Sequence, residues 1–286
     1  EHIGVEGAGN WFEHTIGRGA QASIDQNPSH SGTEVNFAAG FDQELVDDLY
    51  LGLSLGLRTS RYTIDNLNDH EIRSTSFDLG IYSGYGFGAF SFNNSLTFGN
   101  NTQYSDRTVD FGDTTEEYSA EWSGNYYAGS SLISYQKNFG NWFLRPSVAL
   151  DYFYFSEEDY SETFESDTGD LALSVAGTDS TQLSSTIKLN LGSENWRSGA
   201  GSSKQIYFGY RADAGSDTYA STASFMSGQG YEFDIRDDRP LENALIFGFN
   251  LTARSVDGNS ITVGYSGEKI GDFTRNLVQG EIRIGI

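Results

Sequence analysis

The sequence has no cysteine, only 3 prolines and 1 methionine among its 286 residues. Without cysteine, the chain has no disulfide, no thiolate metal site and no cysteine nucleophile. It also lacks a continuous apolar run of about 18 residues, which excludes a helical membrane protein. Scarce proline fits a closed β-ladder, because each proline removes a backbone N–H that the ladder needs.

Basic residues are few as well. The chain has 17 Lys and Arg against 40 Asp and Glu, for a formal net charge of −23. Nucleic acid is therefore not an expected partner, since binding to phosphates needs a basic surface. We interpret the acidity as solvation of the surface rather than as a specific cation site. No signal peptide is visible at Glu1, so we expect the chain to begin after processing or inside a longer precursor.

The stretch Trp142–Phe155 carries the pattern that is most informative about the fold. One face of an extended strand here is apolar with aromatic ends, and the other has small, charged and polar residues in its middle. The apolar face consists of Trp142, Leu144, Pro146, Val148, Leu150, Tyr152 and Tyr154. Such a strand is typical of a protein that faces lipid outward and a wet lumen inward. Similar alternation recurs over residues 49–59, 76–85, 90–99, 245–254 and 278–286, with Ser83 and Asn94 interrupting the apolar face.

These patterns predict an all-β fold, a transmembrane antiparallel up-and-down β-barrel of twelve strands that occupies residues 1–286 as one domain. The strands are expected near 3–14, 32–43, 48–60, 71–85, 87–103, 116–138, 141–156, 180–192, 202–214, 243–256, 259–269 and 275–286. Gly4, Gly7 and Gly9 interrupt the first of these, so an irregular segment inside the lumen is the alternative there.

The predicted connections alternate in length. Short turns are expected around Val46–Asp48, Gly86, Gly140 and Asp257–Asn259, with a longer Gly/Ser-rich turn at Ser193–Gly201. Long polar connections are expected near 15–31, 61–70, 104–115, 157–179 and 215–242, and a short last one at Gly271–Arg275. This asymmetry is typical of periplasmic turns and external loops, and an even strand number then puts both termini on the periplasmic side.

The ordered set of strands resembles the β-domain, or translocator, of classical autotransporters. The resemblance lies in residues 37–65, 77–99, 141–163 and 170–192, and in the final ITVGYSGEKIGDF and QGEIRIGI. That family usually ends in an aromatic residue, whereas this chain ends in Ile286. The family also carries a helix that threads the pore ahead of the first strand. Residues 1–14 contain no such helix, so the helix and the passenger are either upstream of Glu1 or absent.

The resemblance implies a monomeric barrel in the outer membrane of a Gram-negative bacterium, surrounded by outer-membrane lipids. It would anchor an N-terminal passenger and help to secrete it, with the barrel-assembly machinery as partner during insertion. No enzyme activity, nucleotide or organic cofactor is implied. Some family members cleave the passenger between paired asparagines, but Asn93–Asn94 and Asn100–Asn101 lie within predicted strands. We therefore assign no cleavage site.

The candidate functional residues are the charged side chains predicted to face the lumen. They are Arg58, Asp78, Arg145, Asp151, Arg254, Glu281 and Arg283. A ring of opposed charges would hold a helix or an emerging chain in the lumen. The plainer interpretation is that paired charges fill and rigidify a polar interior. Because an unpaired buried charge is costly, we expect partners across the lumen.

Other functions stay open at this point. A porin-like channel without a passenger would use the small inward residues to line an aqueous pore. An outer-membrane lipid hydrolase would need a Ser–His pair at the outer lipid interface, and His14 and His70 lie near predicted outer strand ends. A soluble lectin-like sandwich is a minor alternative.

Metal and catalytic motifs add little. The acidic loop Glu157–Asp170 lacks the fixed ligand spacing of a calcium loop, so we interpret it as solvated. The four histidines show no zinc spacing, and no GxSxG is present. No metal ligand or catalytic residue is assigned.

Overall fold

The computed structural model describes residues 9–21, 30–64, 70–111, 114–164, 171–197, 200–214, 220–227, 231–236, 243–257, 259–270 and 273–285. Twelve long strands form one antiparallel sheet that closes on itself, which confirms the predicted barrel. Their bounds are β1 Gly9–Gln21, β2 His30–Val46, β3 Leu49–Ile64, β4 Glu71–Phe87, β5 Phe90–Phe111, β6 Thr114–Tyr135, β7 Trp142–Glu157, β8 Thr178–Arg197, β9 Ala200–Ala214, β10 Ala244–Arg254, β11 Ser260–Ile270 and β12 Phe273–Gly285. No helix in these ranges is long and apolar enough to cross a membrane.

Pairing between the first and last strands closes the barrel. β1 runs antiparallel to β12, in a register that extends from Trp11 opposite Gly285 to Gln21 opposite Arg275. Every other strand pairs with the strands before and after it in the chain. The backbone N–H and C=O groups of the wall therefore find partners within the sheet, which a bilayer requires because it offers no water to replace them.

The barrel wall is apolar outside and polar inside. On β3, Leu51, Leu53, Leu55 and Leu57 point outward and are 49–56% exposed, while Gly52, Ser54, Gly56 and Arg58 alternate with them on the inner face. β7 repeats the arrangement, with Trp142, Val148 and Leu150 more than half exposed and Phe143, Arg145 and Ser147 buried. The prediction from Trp142–Phe155 is confirmed, since exposed apolar side chains on alternate positions suit lipid and not water.

The first strand differs from its prediction. It was expected near 3–14, or inside the lumen, but it runs from Gly9 to Gln21 and pairs with β2 and β12 along that length. It is thus part of the wall, and His14 lies in its middle rather than at a strand end. The glycines that obscured the alternation precede or begin the strand, and residues 1–8 lie outside the described part of the chain.

Several of the predicted connections belong to the strands themselves. The expected loop at 104–115 is occupied by β5 and β6, which are 22 residues each and leave only residues 112–113 between them. The expected loop at 61–70 and the turn at Ser193–Gly201 are shortened in the same way. A membrane-spanning strand needs only about 9–11 residues, so β5 and β6 project well beyond the bilayer. Beyond the bilayer the outer face of a strand meets water rather than lipid, and the sequence then loses the alternation that marks a strand.

Short turns and long loops lie at opposite ends of the barrel. At the short-turn end, Asp48, Gly88 and Gly140 adopt φ of 64°, 61° and 65°, the left-handed backbone that two-residue hairpin turns require. At the long-loop end, Tyr160–Ser161, Leu173–Val175, Ala220–Phe225 and Glu232–Arg236 form a separate four-stranded sheet, here called the loop sheet. It joins the β7–β8 connection to the β9–β10 connection.

Glycine makes room for aromatic side chains that lie flat on the inner wall. Tyr82 on β4 crosses over Gly52 on β3, so that a Cβ at Gly52 would lie 2.1 Å from Cζ of the Tyr82 ring. The Tyr82 hydroxyl continues to β2, where it donates a 2.8 Å hydrogen bond to Oδ2 of Asp42. One side chain thereby ties three strands together near the short-turn end.

We predict that Gly52→Ala destabilises the barrel by about 1–3 kcal/mol, because the added methyl group overpacks a Tyr82 ring that is held in place by Asp42. The free energy of unfolding in lipid vesicles, followed by tryptophan fluorescence in urea, measures the effect. Gly280→Ala is the matched control, since a Cβ there meets nothing within 4 Å. Equal stability of the two variants would contradict the interpretation.

Candidate functional site

The predicted lumen charges on β3 and β4 lie on the inner wall, where neighbouring strands supply their partners. Nε of Arg58 lies 3.6 Å from Oε1 of Glu34, which is on the adjacent strand β2. Oδ2 of Asp78 accepts a 3.2 Å hydrogen bond from the hydroxyl of Tyr126, two strands away on β6. Arg58 and Glu34 both keep 40% or more of their side-chain surface exposed, so this pair is wet and loosely held.

The two predicted charges on β7 are held more tightly. Arg145 is buried, its Nε donates a 2.8 Å hydrogen bond to Oε1 of Gln136, and Nη2 lies 3.6 Å from Oε1 of Glu194. Its guanidinium also stacks 4.6 Å from the centre of the Phe143 ring. Oδ1 of Asp151 accepts a 2.6 Å hydrogen bond from Ser130 on β6. Both charges are thus satisfied along the wall.

The remaining predicted charges lie on β10 and β12. Arg283 stands opposite Glu13 of β1 in the closing register, and Glu281 stands opposite Thr15. Arg254 ends β10 near the short turns, opposite Gly201 and Ser260, which carry no charge. The closing seam of the barrel therefore carries two acidic side chains and one basic side chain on neighbouring positions.

The expectation that these charges pair across the lumen is wrong for every partner described here. The partners of Arg58, Asp78 and Asp151 lie one or two strands away. The partner of Arg145 is Gln136, which lies in the β6–β7 connection. A barrel of twelve strands is wider than the eight-stranded barrels whose interior side chains fill completely. A partner along the wall is therefore nearer than one on the opposite side of the lumen.

The sequence analysis missed a second lumen cluster. Nη1 of Arg211 donates a 2.9 Å hydrogen bond to Oε1 of Glu268 on β11, and its Nε contacts both carboxylate oxygens of Asp213 at 3.1 and 3.2 Å. Arg211 follows Tyr207 and Gly209 on the inner face of β9. The alternation of that strand was therefore a signal that pointed to it.

A buried ion pair joins the β7–β8 connection to strand β5 at the long-loop end of the barrel. Arg107 on β5 donates to both carboxylate oxygens of Glu162, from Nε at 2.6 Å and from Nη2 at 2.7 Å, and Nη2 also reaches the carbonyl of Leu171 at 2.8 Å. The amide of Leu173 donates to Oε2 of Glu162 at 2.8 Å. The guanidinium lies 4.6 Å over the ring of the buried Tyr118. We call this set the Arg107–Glu162 clamp.

The clamp holds the β7–β8 connection against the inner face of the projecting β5–β6 hairpin. Its hydrogen bond with Glu162 raises the pKa of Arg107, and the bidentate geometry is the strongest arrangement for such a pair. Nearby, Trp122 and Tyr160 stack with ring centres 4.4 Å apart, and Trp122 Nε1 and Gln103 Nε2 both donate to Oε1 of Glu157. Burial, with Glu162 and Glu157 adding to it, raises the pKa of Tyr160 to about 12.

The solvated interpretation of the acidic loop is therefore wrong for two of its residues. The carboxylates of Glu157 and Glu162 are engaged by protein donors, and Glu162 is only 8% exposed. Residues 165–170 of that loop lie outside the described part of the chain. Nothing in the local sequence around Glu162 distinguishes it from its acidic neighbours, because its partner Arg107 is 55 residues away.

A Ser–His contact is present, but not where a lipid hydrolase needs it. Nε2 of His70 lies 3.0 Å from Oγ of Ser105, and Ser105 shares the inner face of β5 with Gln103 and Arg107. Burial and the nearby Arg107 guanidinium lower the pKa of His70, so the imidazole is neutral at neutral pH. The pair faces the lumen side of the wall rather than the outer lipid interface.

Comparison with known proteins shows which family this barrel belongs to. The family model described as the autotransporter beta-domain matches residues 10–266. The chain belongs to the autotransporter β-domain family. Barrels of this family lie in the bacterial outer membrane and serve a passenger domain, and the β-domain is a transport unit. No curated protein matches the sequence.

Solved structures show the same fold as this β-domain. The translocator domain of autotransporter NalP from Neisseria meningitidis superposes with a TM-score of 0.74 at 13% identity, covering 99% of this chain and 90% of that one. The β-domain of the Bordetella autotransporter BrkA gives 0.66 at 16% identity, covering 98% and 100%. The Pseudomonas putida toluene transporter TodX gives 0.53 at 10% identity, covering 97% and 89%.

We predict that Glu162→Gln loosens the loop sheet of the β-domain, because Arg107 would keep its buried charge without a carboxylate partner. Loss of such a partner costs about 1–3 kcal/mol, which corresponds to roughly 5- to 150-fold faster exchange at the Leu173 amide. Hydrogen exchange measured by mass spectrometry on the barrel in lipid reads this out. Glu158→Gln, an exposed change in the same connection, is the control, and an equal response in both variants would contradict the clamp.

Proposed function

We propose that this barrel anchors an N-terminal passenger in the outer membrane and helps to translocate it to the cell surface. Residues 1–286 act as one domain, with both barrel termini on the periplasmic side. The observation that carries the proposal is the inner wall, on which Asp78, Asp151 and Arg211 pair with residues one or two strands away along the wall. An extended chain can pass along such a wall without breaking these pairs.

The lumen charges have different parts in this proposal. Arg145 and Asp151 stiffen the wall, because their polar atoms already have short contacts with Gln136 and Ser130. Arg58 and Glu34 are solvent-exposed and lie 3.6 Å apart. Each can therefore leave the other and pair with a charge on a passing chain or pore helix at little cost in free energy. Glu281, Arg283 and Arg254 supply further charge of both signs near the short-turn end.

The surroundings follow from the same proposal. Outer-membrane lipids contact the band of exposed leucines, isoleucines and aromatic residues. The barrel-assembly machinery is the partner during insertion, because twelve strands must be paired before any of their backbone is exposed to lipid. The barrel acts as a monomer and needs no cofactor.

A reporter fusion tests translocation. An epitope-tagged reporter with a signal peptide is joined ahead of Glu1 through about 20 residues of helical linker, long enough to span roughly 30 Å of lumen. We expect intact Gram-negative cells to display the reporter to external protease. The same reporter without the barrel is the control. A reporter that remains protected while the barrel is inserted would overturn the proposal.

A small channel without a passenger is the second candidate, favoured by the similarity in fold to TodX. Its signature would be steady conductance of the purified chain in planar bilayers combined with failure of the fusion to reach the surface. Conductance together with surface display would instead describe a translocator whose lumen lacks a helix.

The proposed orientation is tested with the cysteine-free background of this chain. Asp159→Cys lies in the β7–β8 connection and Asp257→Cys in the β10–β11 turn, and both positions are exposed. We predict that a membrane-impermeant maleimide added to whole cells labels Asp159→Cys and leaves Asp257→Cys unlabelled until the outer membrane is permeabilised. The reverse pattern would place the termini at the cell surface.

A further inference from the structure

Four exposed basic side chains lie on the outer face of the barrel wall at the long-loop end. On β11, β1, β3 and β4 respectively, they are Lys269, Arg18, Arg61 and Arg73. The six strands from β11 through β12 to β4 are consecutive around the barrel, across the closing seam. We call these four side chains the basic arc. The chain has only 17 Lys and Arg and a net charge of −23, so a group of four on one side of the outer wall is unexpected.

The three arginines of the arc belong to one row of the hydrogen-bonded ladder. Arg18 stands opposite Thr33 on β2, and Thr33 stands opposite Arg61, which in turn stands opposite Arg73. Neighbouring strands lie about 4.8 Å apart, so the backbones of Arg18 and Arg61 are separated by roughly 10 Å with the exposed Thr33 between them. Guanidinium and hydroxyl groups are all hydrogen-bond donors. One phosphate group placed over Thr33 is therefore within reach of three donor side chains.

The row lies just beyond the apolar band of the wall. Arg18 is two residues past the outward-facing Ile16, and Arg61 is four residues past the outward-facing Leu57. At about 3.3 Å per residue these spacings are roughly 7 and 13 Å along the strand, and less in height because barrel strands are tilted. That is the level at which the hydrocarbon core gives way to lipid headgroups. Long arginine side chains near the ends of membrane-spanning segments reach into that layer.

The arc keeps an excess of positive charge. Glu71 contacts both Arg61 and Arg73, and Oδ2 of Asp106 lies 2.6 Å from Nη2 of Arg73. Even so, the Arg61 and Arg73 side chains remain 68% and 52% exposed. Among the residues that the structure describes, no carboxylate pairs with the other two members of the arc. Four positive charges thus face two carboxylates, and the arginines keep donors free on the side that faces the membrane.

The outer face of the neighbouring β5–β6 hairpin has the opposite sign. Glu121 on β6 stands opposite Tyr104, and Glu117 stands opposite Thr108, so both carboxylates share the outer face with Tyr104. Both glutamates are exposed. An anion that approaches the long-loop end of the barrel is therefore attracted to the β11–β4 side and repelled from the β5–β6 side.

We propose that the basic arc binds phosphorylated headgroups of lipids in the leaflet at the long-loop end, with one phosphate seated over Thr33 between Arg18 and Arg61. The planar guanidinium donates two parallel hydrogen bonds to a phosphate, which a point charge does not. A lipid fits better than a free phosphate, because its acyl chains lie against the exposed Ile16 and Leu57 and hold the headgroup at this depth. The choice of leaflet, though not the site, rests on the proposed function, in which the long-loop end faces the cell surface.

Native mass spectrometry on the purified full chain in neutral detergent micelles measures the binding. The probes are phosphatidic acid, which carries a phosphate monoester, and phosphatidylcholine with the same acyl chains, whose choline cancels the phosphate charge. We expect about 10- to 30-fold tighter binding of phosphatidic acid, at roughly fivefold for each of two arginines. Equal affinity for the two lipids would overturn the proposal, and so would displacement of phosphatidic acid by an equal concentration of inorganic phosphate.

Variants that remove one positive charge locate the site. Arg18→Gln and Arg61→Gln should each weaken the binding of phosphatidic acid about fivefold. Lys204→Gln is the control, because Lys204 is an exposed outward residue opposite Leu251 near the short-turn end, and it should leave binding unchanged. An equal loss in Lys204→Gln, or no loss in Arg18→Gln, would contradict the site.

The lipid titration needs neither a passenger nor a known orientation in the cell. A reporter fusion that fails to reach the surface therefore overturns translocation and leaves the binding result standing. A displayed reporter combined with no preference for phosphatidic acid overturns the lipid site alone.

Discussion

Closure of the hydrogen-bonded ladder between β1 and β12 is the constraint on which the rest of the structure depends. In a bilayer an open sheet edge leaves backbone groups without partners, so the twelve strands are stable there only as a ring. Once the ring is closed, the position of every side chain follows from alternation, with apolar residues such as Leu53 outward and polar residues such as Ser54 inward. The lumen, its charges and its lipid-facing surface are all consequences of that one requirement.

The parts of the fold that could be predicted are those in which the two faces of a strand meet different surroundings. Alternation over Trp142–Phe155 located β7 to within one or two residues, because lipid and lumen demand opposite side chains. It failed at 104–115, where the outer face of the projecting hairpin meets water rather than lipid. It also failed at β1, where glycines before residue 10 carry no side chain that marks a face.

The sequence predicted that the candidate charged side chains point into the lumen, but not which residues they pair with. The inward orientation of Arg58, Asp78, Arg145 and Asp151 follows from the strand pattern alone. Their partners depend on which residue of a strand one or two places away lies within reach, which the pattern does not contain. Glu162 was beyond reach of sequence reasoning, because its burial arises from a loop that folds back onto Arg107, 55 residues earlier in the chain.

The unequal strand lengths give the barrel a lopsided rim. β5 and β6 have 22 residues each, whereas β10 and β11 have 11 each. At about 3.3 Å per residue the tall side is roughly twice the height of the low side. At the long-loop end, the β5–β6 side of the rim therefore stands higher than the β10–β11 side, so a chain that leaves the lumen there has a taller strand wall beside it on one side than on the other.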